Sequence, residues 1–167
     1  MAHADIDPAH PPKRRLGALV LVRDDAGRIL LVKPTYRSGW VLPGGAAHQG
    51  ESIADAAARE LAEETGLVRR PTHYLVLDQV PASDDGTSAE GLNVVCDAGD
   101  QLTAEEAKTV VVPETAADEL CAVRWVPPED LDKYAQPYQA RRIRAALATL
   151  ESDAARPLLT LGEPAGA

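Results

Sequence analysis

Three glutamates and one arginine lie within six residues of a predicted helix: Arg59, Glu60, Glu63 and Glu64. Positions three and four apart share one face of a helix, so the three carboxylates project together and repel one another. Each like-charge pair costs roughly a few tenths of a kcal/mol, and the end of a helix is where its dipole least favours anions. A divalent cation that prefers oxygen ligands, Mg²⁺ or Mn²⁺, would offset this repulsion.

The residues just before this helix support the same metal hypothesis. Gly44 and Gly45 allow a tight backbone path that turns carbonyl oxygens toward the carboxylates, and a carbonyl can complete a metal shell. Glu51 and Arg59 form a charge pair that can hold a glutamate in place. Neither cysteine nor paired histidines lie nearby, which disfavours zinc. The alternative is a solvated acidic helix face that is paired with Arg59.

The overall charge limits the class of partner. The formal net charge is -9 and the sequence pI is about 4.9, so the field of the protein repels polyanions. We therefore expect no binding to a nucleic acid polymer, and any phosphate ligand needs a local cation. Two short basic clusters are predicted to be solvated: Lys13, Arg14 and Arg15, and Arg141, Arg142 and Arg144.

The sequence contains no apolar run long enough for a signal-peptide core or a membrane span. A cytoplasmic protein without a membrane partner is therefore expected. Two cysteines, Cys96 and Cys121, lie far apart in strand-like apolar surroundings, and both are predicted to be buried reduced thiols.

The acidic stretch is preceded by predicted strands. LGALVLVRD and RILLVK, joined by the turn DAG, predict a β-hairpin, and WVLP predicts a short strand that is followed by a turn at GG. The helix begins at Ser52, where Asp55 completes a capping-box pattern, and it ends at Gly66. Its apolar stripe contains Ile53, Ala57 and Leu61.

The second half of the chain adds strands and a further helix. HYLVLDQV and LNVVCDA predict strands on either side of a polar loop, TVVV predicts a short strand, and a last strand ends near the predicted core residue Trp125. PPEDLDKY begins a helical turn, and YQARRIRAALATLES predicts an amphipathic helix with Ile143, Leu147 and Leu150 facing inward. The pattern predicts one α/β domain with a mixed sheet packed by helices. Residues 13–152 form this domain, with tails at 1–12 and 153–167.

The stretch from Gly45 to Leu67 resembles the Nudix box, G-x5-E-x7-R-E-U-x-E-E-x-G-U, where U is a bulky aliphatic residue. Gly45 is followed after five residues by Glu51, and after seven more by the run RELAEETGL. All nine specified positions match over 23 residues, which makes the signal far more specific than a lone glycine motif. WVLPG before the box and RWV after it are similar to strands of the family.

The resemblance implies an α/β/α sandwich with a central mixed sheet. It also implies Mg²⁺- or Mn²⁺-dependent hydrolysis of a nucleoside diphosphate linked to another moiety, with water attacking phosphorus. Members of the family are often homodimers, and no patch in this sequence identifies an interface.

The resemblance implies roles for individual residues. Glu60, Glu63 and Glu64 match the metal-binding and base-supplying glutamates, Gly45 matches the position whose carbonyl joins the metal shell, and Arg59 matches the arginine that orients a glutamate. Gly44 and Glu51 have supporting roles. The residue that acts as base varies in the family, and Glu119 on a later loop is a further candidate. Five residues lie where the family usually holds its nucleotide: Arg23, Lys33, Tyr36, Arg37 and Trp40.

One residue departs from the family. His48 stands where many members carry a further glutamate, which leaves the number of bound metal ions open. We predict that it is a partly exposed loop residue rather than a metal ligand.

The substrate stays open between ADP-ribose, a nucleotide sugar and a modified nucleoside triphosphate. Pro81, 14 residues beyond Leu67, is near the position of a proline in the ADP-ribose-hydrolysing branch, although the offset is inexact. The rival function is a Nudix-like module that senses a nucleotide without hydrolysing it. Regulators of this kind typically have an eroded box or an attached DNA-binding domain, and this chain shows neither.

Overall fold

The computed structural model describes residues 13–157, 159–160 and 163–164 of the chain. Its strands are β1 (Arg15–Leu21), β2 (Ile29–Pro34), β3 (Gly44–Ala46), β4 (His73–Val80), β5 (Gly91–Asp97), β6 (Leu120–Val126), β7 (Arg156–Pro157), β8 (Leu159–Thr160) and β9 (Glu163–Pro164). Its α-helices are α1 (Ile53–Thr65), α2 (Ala104–Thr109), α3 (Leu131–Tyr134) and α4 (Pro137–Glu151), and short 3₁₀ turns cover Glu114–Ala116 and Pro128–Asp130.

The central sheet is mixed, as the sequence predicts. Its strand order is β3-β1-β5-β4-β7. β1 runs parallel to β5, whereas the pairs β1–β3, β4–β5 and β4–β7 are antiparallel. β2 and β6 form a separate two-stranded antiparallel sheet, and β8 pairs with β9.

The two faces of the central sheet are covered by different helices. Alternate residues of β1 and β5, among them Ala18, Val20 and Val94, pack with the buried alanines and Leu61 of α1. Leu21 and Val95, on the opposite face, pack with the apolar side of α4. The protein is therefore an α/β/α sandwich with one helix layer on each side.

The caps of α1 at Ser52 and Gly66 agree with the sequence prediction, but the capping box predicted there is only half formed, because the Asp55 carboxylate bonds the Ser52 hydroxyl instead of the Ser52 backbone N–H. The Ser52 hydroxyl oxygen accepts the backbone N–H of Asp55 at 3.1 Å and donates to the Asp55 carboxylate at 2.6 Å. Gly66 ends the helix in the left-handed region at a φ of 74° and donates to the carbonyl of Ala62. The helix that carries the glutamates is thus fixed at both ends.

The predicted β1–β2 hairpin exists only at its tip. Buried Asp24 accepts the backbone N–H groups of Ala26 and Arg28, and the Leu30 N–H still reaches the Val22 carbonyl. Beyond this turn the hairpin prediction is wrong, because β1 pairs with β3 and β5 whereas β2 pairs with β6. Long-range pairing outweighs the local turn.

The strand and turn predicted at WVLPGG are exchanged in the structure. Val41 makes only an isolated bridge to Val32, and the strand is Gly44–Ala46, which pairs with the edge of β1. Gly44 has a φ of 136°, and a Cβ there would lie 2.2 Å from the Ala18 carbonyl oxygen. Only glycine allows β3 to come this close to β1.

The short strand predicted at TVVV is also wrong. The chain there ends α2, and residues 110–112 have no regular structure. Thr103 and Glu106 form a complete capping box at the start of α2. This threonine–glutamate spacing is a helix signal that the apolar run of valines obscures.

Two predictions of burial are wrong. Cys121 is exposed, although Cys96 is buried as expected. Arg142 was predicted to be solvated but is only 6% exposed, because α4 turns it toward Asp78 of β4. Trp125 and Leu147 pack against the core, and Ile143 is fully buried.

The predicted N-terminal tail, residues 1–12, lies outside the described residues. Within the predicted C-terminal tail, residues 153–167, Arg156 and Pro157 pair with the start of β4. None of the helices in the described part of the chain has the length and apolar character needed to cross a bilayer.

Candidate functional site

Arg59 is the centre of the acidic cluster on α1. Its Nε and Nη2 donate to the two carboxylate oxygens of Glu51 at 2.8 and 2.9 Å. Its Nη1 donates to Glu60 at 2.9 Å and to Glu63 at 3.1 Å. The charge pair predicted between Glu51 and Arg59 is confirmed, and its bidentate geometry fixes the plane of the guanidinium.

The same arginine connects α1 to β3. Arg59 Nη2 also donates to the carbonyl of Ala46, at 3.2 Å. The Arg59 guanidinium, together with the backbone N–H of His48, lowers the pKa of Glu51 to about 2. Glu51 in turn raises the pKa of Arg59. At neutral pH both groups are charged, and they hold the helix start, the helix middle and the strand edge together.

Two of the glutamates lie against the glycine pair. Glu64 Oε2 accepts the backbone N–H of Gly44 at 2.7 Å. A Cβ built on Gly45 would lie 2.5 Å from Glu60 Oε1, so the Glu60 carboxylate fills the space that a side chain would take. The backbone of the glycine pair therefore lies against the carboxylates, with the Gly44 N–H donating to one of them, whereas the orientation of its carbonyl oxygens toward a metal stays a prediction.

The environment of Glu64 favours its neutral form. Burial is the main cause that raises the pKa of Glu64 to about 7, and the negative charges of Glu60 and Glu119 act in the same direction. The Gly44 N–H and the Arg37 charge oppose this shift. Arg37 and Glu119 are thus near enough to Glu64 to influence its charge.

Glu119 is brought to the site by the loop before β6. Its carbonyl oxygen accepts the backbone N–H of Thr35 at 2.8 Å, which joins this loop to the segment that carries Tyr36 and Arg37. The Glu119 side chain is exposed. It is therefore free to approach a ligand that lies over Glu64.

A cavity of about 300 Å³ opens beside the glycine pair, on the α4 side of the sheet. Gly44, Gly45 and Ala46 form one wall, and Tyr36 and Arg37 form another. Of the five residues expected to hold a nucleotide, the structure brings only these last two to the cavity.

The other three residues do not line this cavity. Arg23 lies at the β1–β2 turn in a bridge to Ile29. Lys33 Nζ donates to the carbonyl of Gly39 at 3.4 Å. Trp40 packs edge-on against Tyr134, with the Arg124 guanidinium 5.2 Å from its ring centre.

Sequence reasoning missed several polar residues of the cavity: Arg15, Asn93, Tyr138, Gln139 and Arg142. The two arginines were predicted to be solvated. Asn93 had a signal that was available, since it is a single carboxamide within the apolar strand run LNVVC. A buried polar side chain in such a run requires an explanation.

A metal ion is held by several ligand side chains around one point. Among the described residues, no group of three or more His, Cys, Asp and Glu side chains is arranged to hold a metal ion. Arg59 instead donates to Glu60 and Glu63. These carboxylates would need to release the guanidinium in order to bind a metal ion. His48 is an exposed loop residue, and its Nδ1 lies 3.9 Å from Glu51.

Comparisons with known proteins agree with the box and the fold. A family model described as the NUDIX domain matches residues 13–147. The chain is 32% identical over 127 residues to a putative 8-oxo-dGTP diphosphatase of Bacillus subtilis (strain 168), and the alignment covers 76% of each protein.

Two solved structures show the same fold. A MutT protein from Methanosarcina mazei Go1 aligns with a TM-score of 0.66 and 22% identity, covering 85% of this chain and 96% of that chain. The NUDIX domain of Shewanella oneidensis NrtR, complexed with ADP ribose, aligns with a TM-score of 0.66 and 20% identity, covering 90% and 99%. The chain therefore belongs to the Nudix family and is a pyrophosphohydrolase.

Proposed function

We propose that this protein uses Mg²⁺ or Mn²⁺ to hydrolyse the diphosphate linkage of a nucleoside diphosphate derivative, with water attacking phosphorus. The observation that carries the proposal is the cluster around Arg59. It holds Glu60 beside Gly45, while Glu64 is bonded to Gly44, at the edge of a cavity that contains Arg37.

A hard divalent cation fits the available donors. The carboxylates of Glu60, Glu63 and Glu64 and the carbonyl of Gly45 are all oxygen ligands, which Mg²⁺ and Mn²⁺ prefer. The space at Gly45 is filled by a carboxylate rather than by a side chain of its own. When bound, such a cation supplies positive charge that offsets the negative charge of the diphosphate.

The residues of the chain have separate roles in this proposal. Arg37 supplies the local cation that a phosphate needs in a protein with a net charge of -9. Arg59 keeps the glutamates oriented toward the glycine pair. Glu64 and Glu119 are the candidates for the base that takes the proton of the attacking water. Tyr36 lines the cavity and is 73% exposed, so it is available to a ligand.

A nucleoside triphosphate is the first substrate to test, because the relative that aligns over 76% of both chains is named a putative 8-oxo-dGTP diphosphatase. ADP-ribose, nucleotide sugars and dinucleotides remain in the panel. The proposed partner is thus a small nucleotide, and a cytoplasmic location is part of the same proposal.

Substitution of single carboxylates tests the mechanism. Glu63→Gln and Glu64→Gln should each reduce kcat by about 10²- to 10⁴-fold while the circular dichroism spectrum and Tm stay close to those of the wild type. Glu119→Gln should show a loss of the same size if this residue is the base. Glu151→Gln, at an exposed position at the end of α4, is the matched control and should keep full activity. Unchanged turnover in both α1 variants would refute the proposal.

A release assay for phosphate and nucleoside monophosphate identifies the substrate. The panel contains ADP-ribose, nucleotide sugars, dinucleotides, and canonical and oxidised triphosphates, each with Mg²⁺, Mn²⁺ or EDTA. We expect turnover of one class that EDTA abolishes. Tight binding of a nucleotide that stays intact for hours with Mg²⁺ would instead support the sensor function.

A further inference from the structure

The cavity beside the glycine pair contains a buried side chain to which the proposed chemistry assigns no role. Asn93 of β5 is only 6% exposed and lines this cavity. Its carboxamide makes no hydrogen bond to any other residue in the described part of the chain. Asn93 is not among the described residues with a sealed, unpartnered polar atom, of which Arg142 Nη2 is one, so its amide is open to the cavity and can accept or donate to a ligand there.

The direction of this carboxamide follows from the register of the sheet. Ala46, Gly17, Asn93 and Asp78 form one row across β3, β1, β5 and β4, and they lie on the face that α4 covers. A Cβ on Gly17 would lie only 2.1 Å from Asn93 Oδ1. The Asn93 side chain therefore leans over Gly17 toward β3, the strand that carries the glycine pair.

Gln139 presents a second amide to the same cavity, and its orientation is fixed. Arg142 Nη1 donates to Gln139 Oε1 at 3.0 Å, and Gln139 Nε2 donates to the Tyr138 hydroxyl at 3.0 Å. Arg142 is itself held by Asp78, at 2.5 Å. Gln139 thus offers one remaining N–H donor, whereas Asn93 offers both a donor and an acceptor.

The remaining lining of the cavity is mixed. Leu19, Val41 and Leu42 supply apolar atoms, and Arg15 is a further cation beside Arg37. An adjacent donor and acceptor on one carboxamide match the hydrogen-bonding edge of a nucleobase, and apolar walls suit its faces. A phosphate would be held by a cation such as Arg37 rather than by a neutral amide.

We propose that Asn93 is a specificity-determining residue that hydrogen-bonds the edge of the substrate's nucleobase, and that Gly17 provides the space for its carboxamide. This inference rests on the proposed function, because it assigns the base of the nucleotide to the cavity beside the candidate reaction site. Gln139 assists as an oriented donor. Selection among substrates then depends on the base, and the glutamates of α1 act on the diphosphate.

Binding of nucleoside monophosphates tests this assignment without the hydrolysis step. Affinities for AMP, GMP, CMP and UMP, with ribose 5-phosphate as the probe that lacks a base, are measured by calorimetry on the full chain. The wild type should prefer one base by about tenfold or more. Asn93→Leu, which keeps the volume and removes the amide, should lose this preference. Asn93→Asp, which keeps the acceptor and removes the donor, should change the order of the bases.

Two further variants keep the test independent of any folding defect in Asn93→Leu. Gly17→Ala retains the Asn93 amide but displaces it. This variant should weaken the preference for one base, as Asn93→Leu does. Gln79→Leu removes an exposed carboxamide from the neighbouring strand β4 and should leave the preference unchanged.

Several outcomes would overturn the assignment. These are retention of the base preference in Asn93→Leu, equal wild-type affinity for all four nucleotides and ribose 5-phosphate, and no wild-type binding at millimolar concentration. A base preference that depends on Asn93 in a protein that hydrolyses nothing would support this inference while refuting the proposed hydrolysis.

Discussion

A single arginine organises the residues of the acidic face. Arg59 donates to Glu51, Glu60 and Glu63 and to the Ala46 carbonyl, so one guanidinium offsets the repulsion that the sequence alone exposes. Lysine could not reproduce these contacts, because its ammonium lacks the planar fork that reaches two carboxylates and a carbonyl together. The arginine is therefore a structural link as well as a neighbour of the proposed chemistry.

At this scale, the stability of the metal-free protein should depend on pH through Glu51. Arg59 lowers the folded-state pKa of Glu51 to about 2, from 4.5 in a model peptide. A carboxyl with a lowered folded pKa stabilises the fold above its unfolded pKa and loses this contribution as the pH falls through the folded value. Urea unfolding in EDTA should thus show that the wild type has a larger free energy of unfolding than Glu51→Gln. This difference should be complete above about pH 5 and should decrease toward pH 2.

The control for this measurement is Glu151→Gln, which removes one exposed carboxylate. Its free energy of unfolding should differ little from that of the wild type at every pH. The prediction would be contradicted if the difference in free energy of unfolding between the wild type and Glu51→Gln stayed constant between about pH 5 and about pH 3.

At the scale of elements, α4 is attached to the sheet by a polar contact as well as by apolar packing. Arg142 Nε donates to Asp78 of β4 at 2.5 Å, and Nη2 lies at the same distance from this carboxylate without hydrogen-bond geometry. The Arg142 side chain is 3% exposed and that of Asp78 is 37% exposed. The pair therefore lies at the wall of the cavity and fixes the turn of α4 that carries Gln139.

Breaking this pair from one side should be costly. Asp78→Ala leaves the buried guanidinium without its carboxylate and should reduce the free energy of unfolding by about 2–3 kcal/mol. This is less than the roughly 3–5 kcal/mol of a fully buried pair, because solvent reaches Asp78. Denaturant titration of Asp78→Ala and the wild type measures this change in the free energy of unfolding.

The double variant Asp78→Leu/Arg142→Met is the matched comparison. It replaces the pair by apolar side chains and should recover most of the loss, since no buried charge remains unpaired. If Asp78→Ala were as stable as the wild type, the pair would contribute nothing to the attachment of α4.

Elements also differ in how far their own sequence specifies them. The caps of α1 at Ser52 and Gly66 are local signals, and both are present as predicted. The strand at Gly44–Ala46 was predicted as a turn, because two glycines disfavour a strand locally. Its pairing with β1 is a tertiary contact that the glycines permit by allowing close approach.

At the scale of the whole molecule, the net charge acts on large polyanions, whereas the fold places cations where a small ligand can reach them. The net charge of -9 repels a polyanion at long range, whereas Arg37 and Arg15 provide cations inside the cavity. A small nucleotide can reach these residues, but a nucleic acid polymer must approach the entire negative surface. We therefore expect the molecule as a whole to select for small anionic ligands.

We therefore expect no binding of a labelled 20-base-pair DNA duplex at physiological salt. Fluorescence anisotropy should stay flat up to about 100 µM protein, which is the weak end of ordinary nonspecific binding. Turnover of a small substrate by the same preparation is the control for intact protein. Micromolar binding that weakens with added salt would contradict this expectation.

The sequence by itself determined the family, the helix that carries the glutamates, and the charge pair between Glu51 and Arg59. These features depend on residues that are close along the chain, where helical spacing and capping fix the geometry. The α/β/α architecture followed from the resemblance to the family. The roles of the glutamates in catalysis and metal binding remain predictions.

Only the tertiary structure decided which side chains share the cavity. Asn93 and Arg142 enter it because β5 lies beside β1 and because α4 covers that face of the sheet; the run LNVVC marks Asn93 as unusual but does not say which residues surround it. Lys33 is excluded because β2 pairs with β6, away from β1, and Trp40 is excluded because it packs against Tyr134. Strand pairing between distant segments depends on the burial of whole faces, and hence on the complete chain rather than on any single stretch.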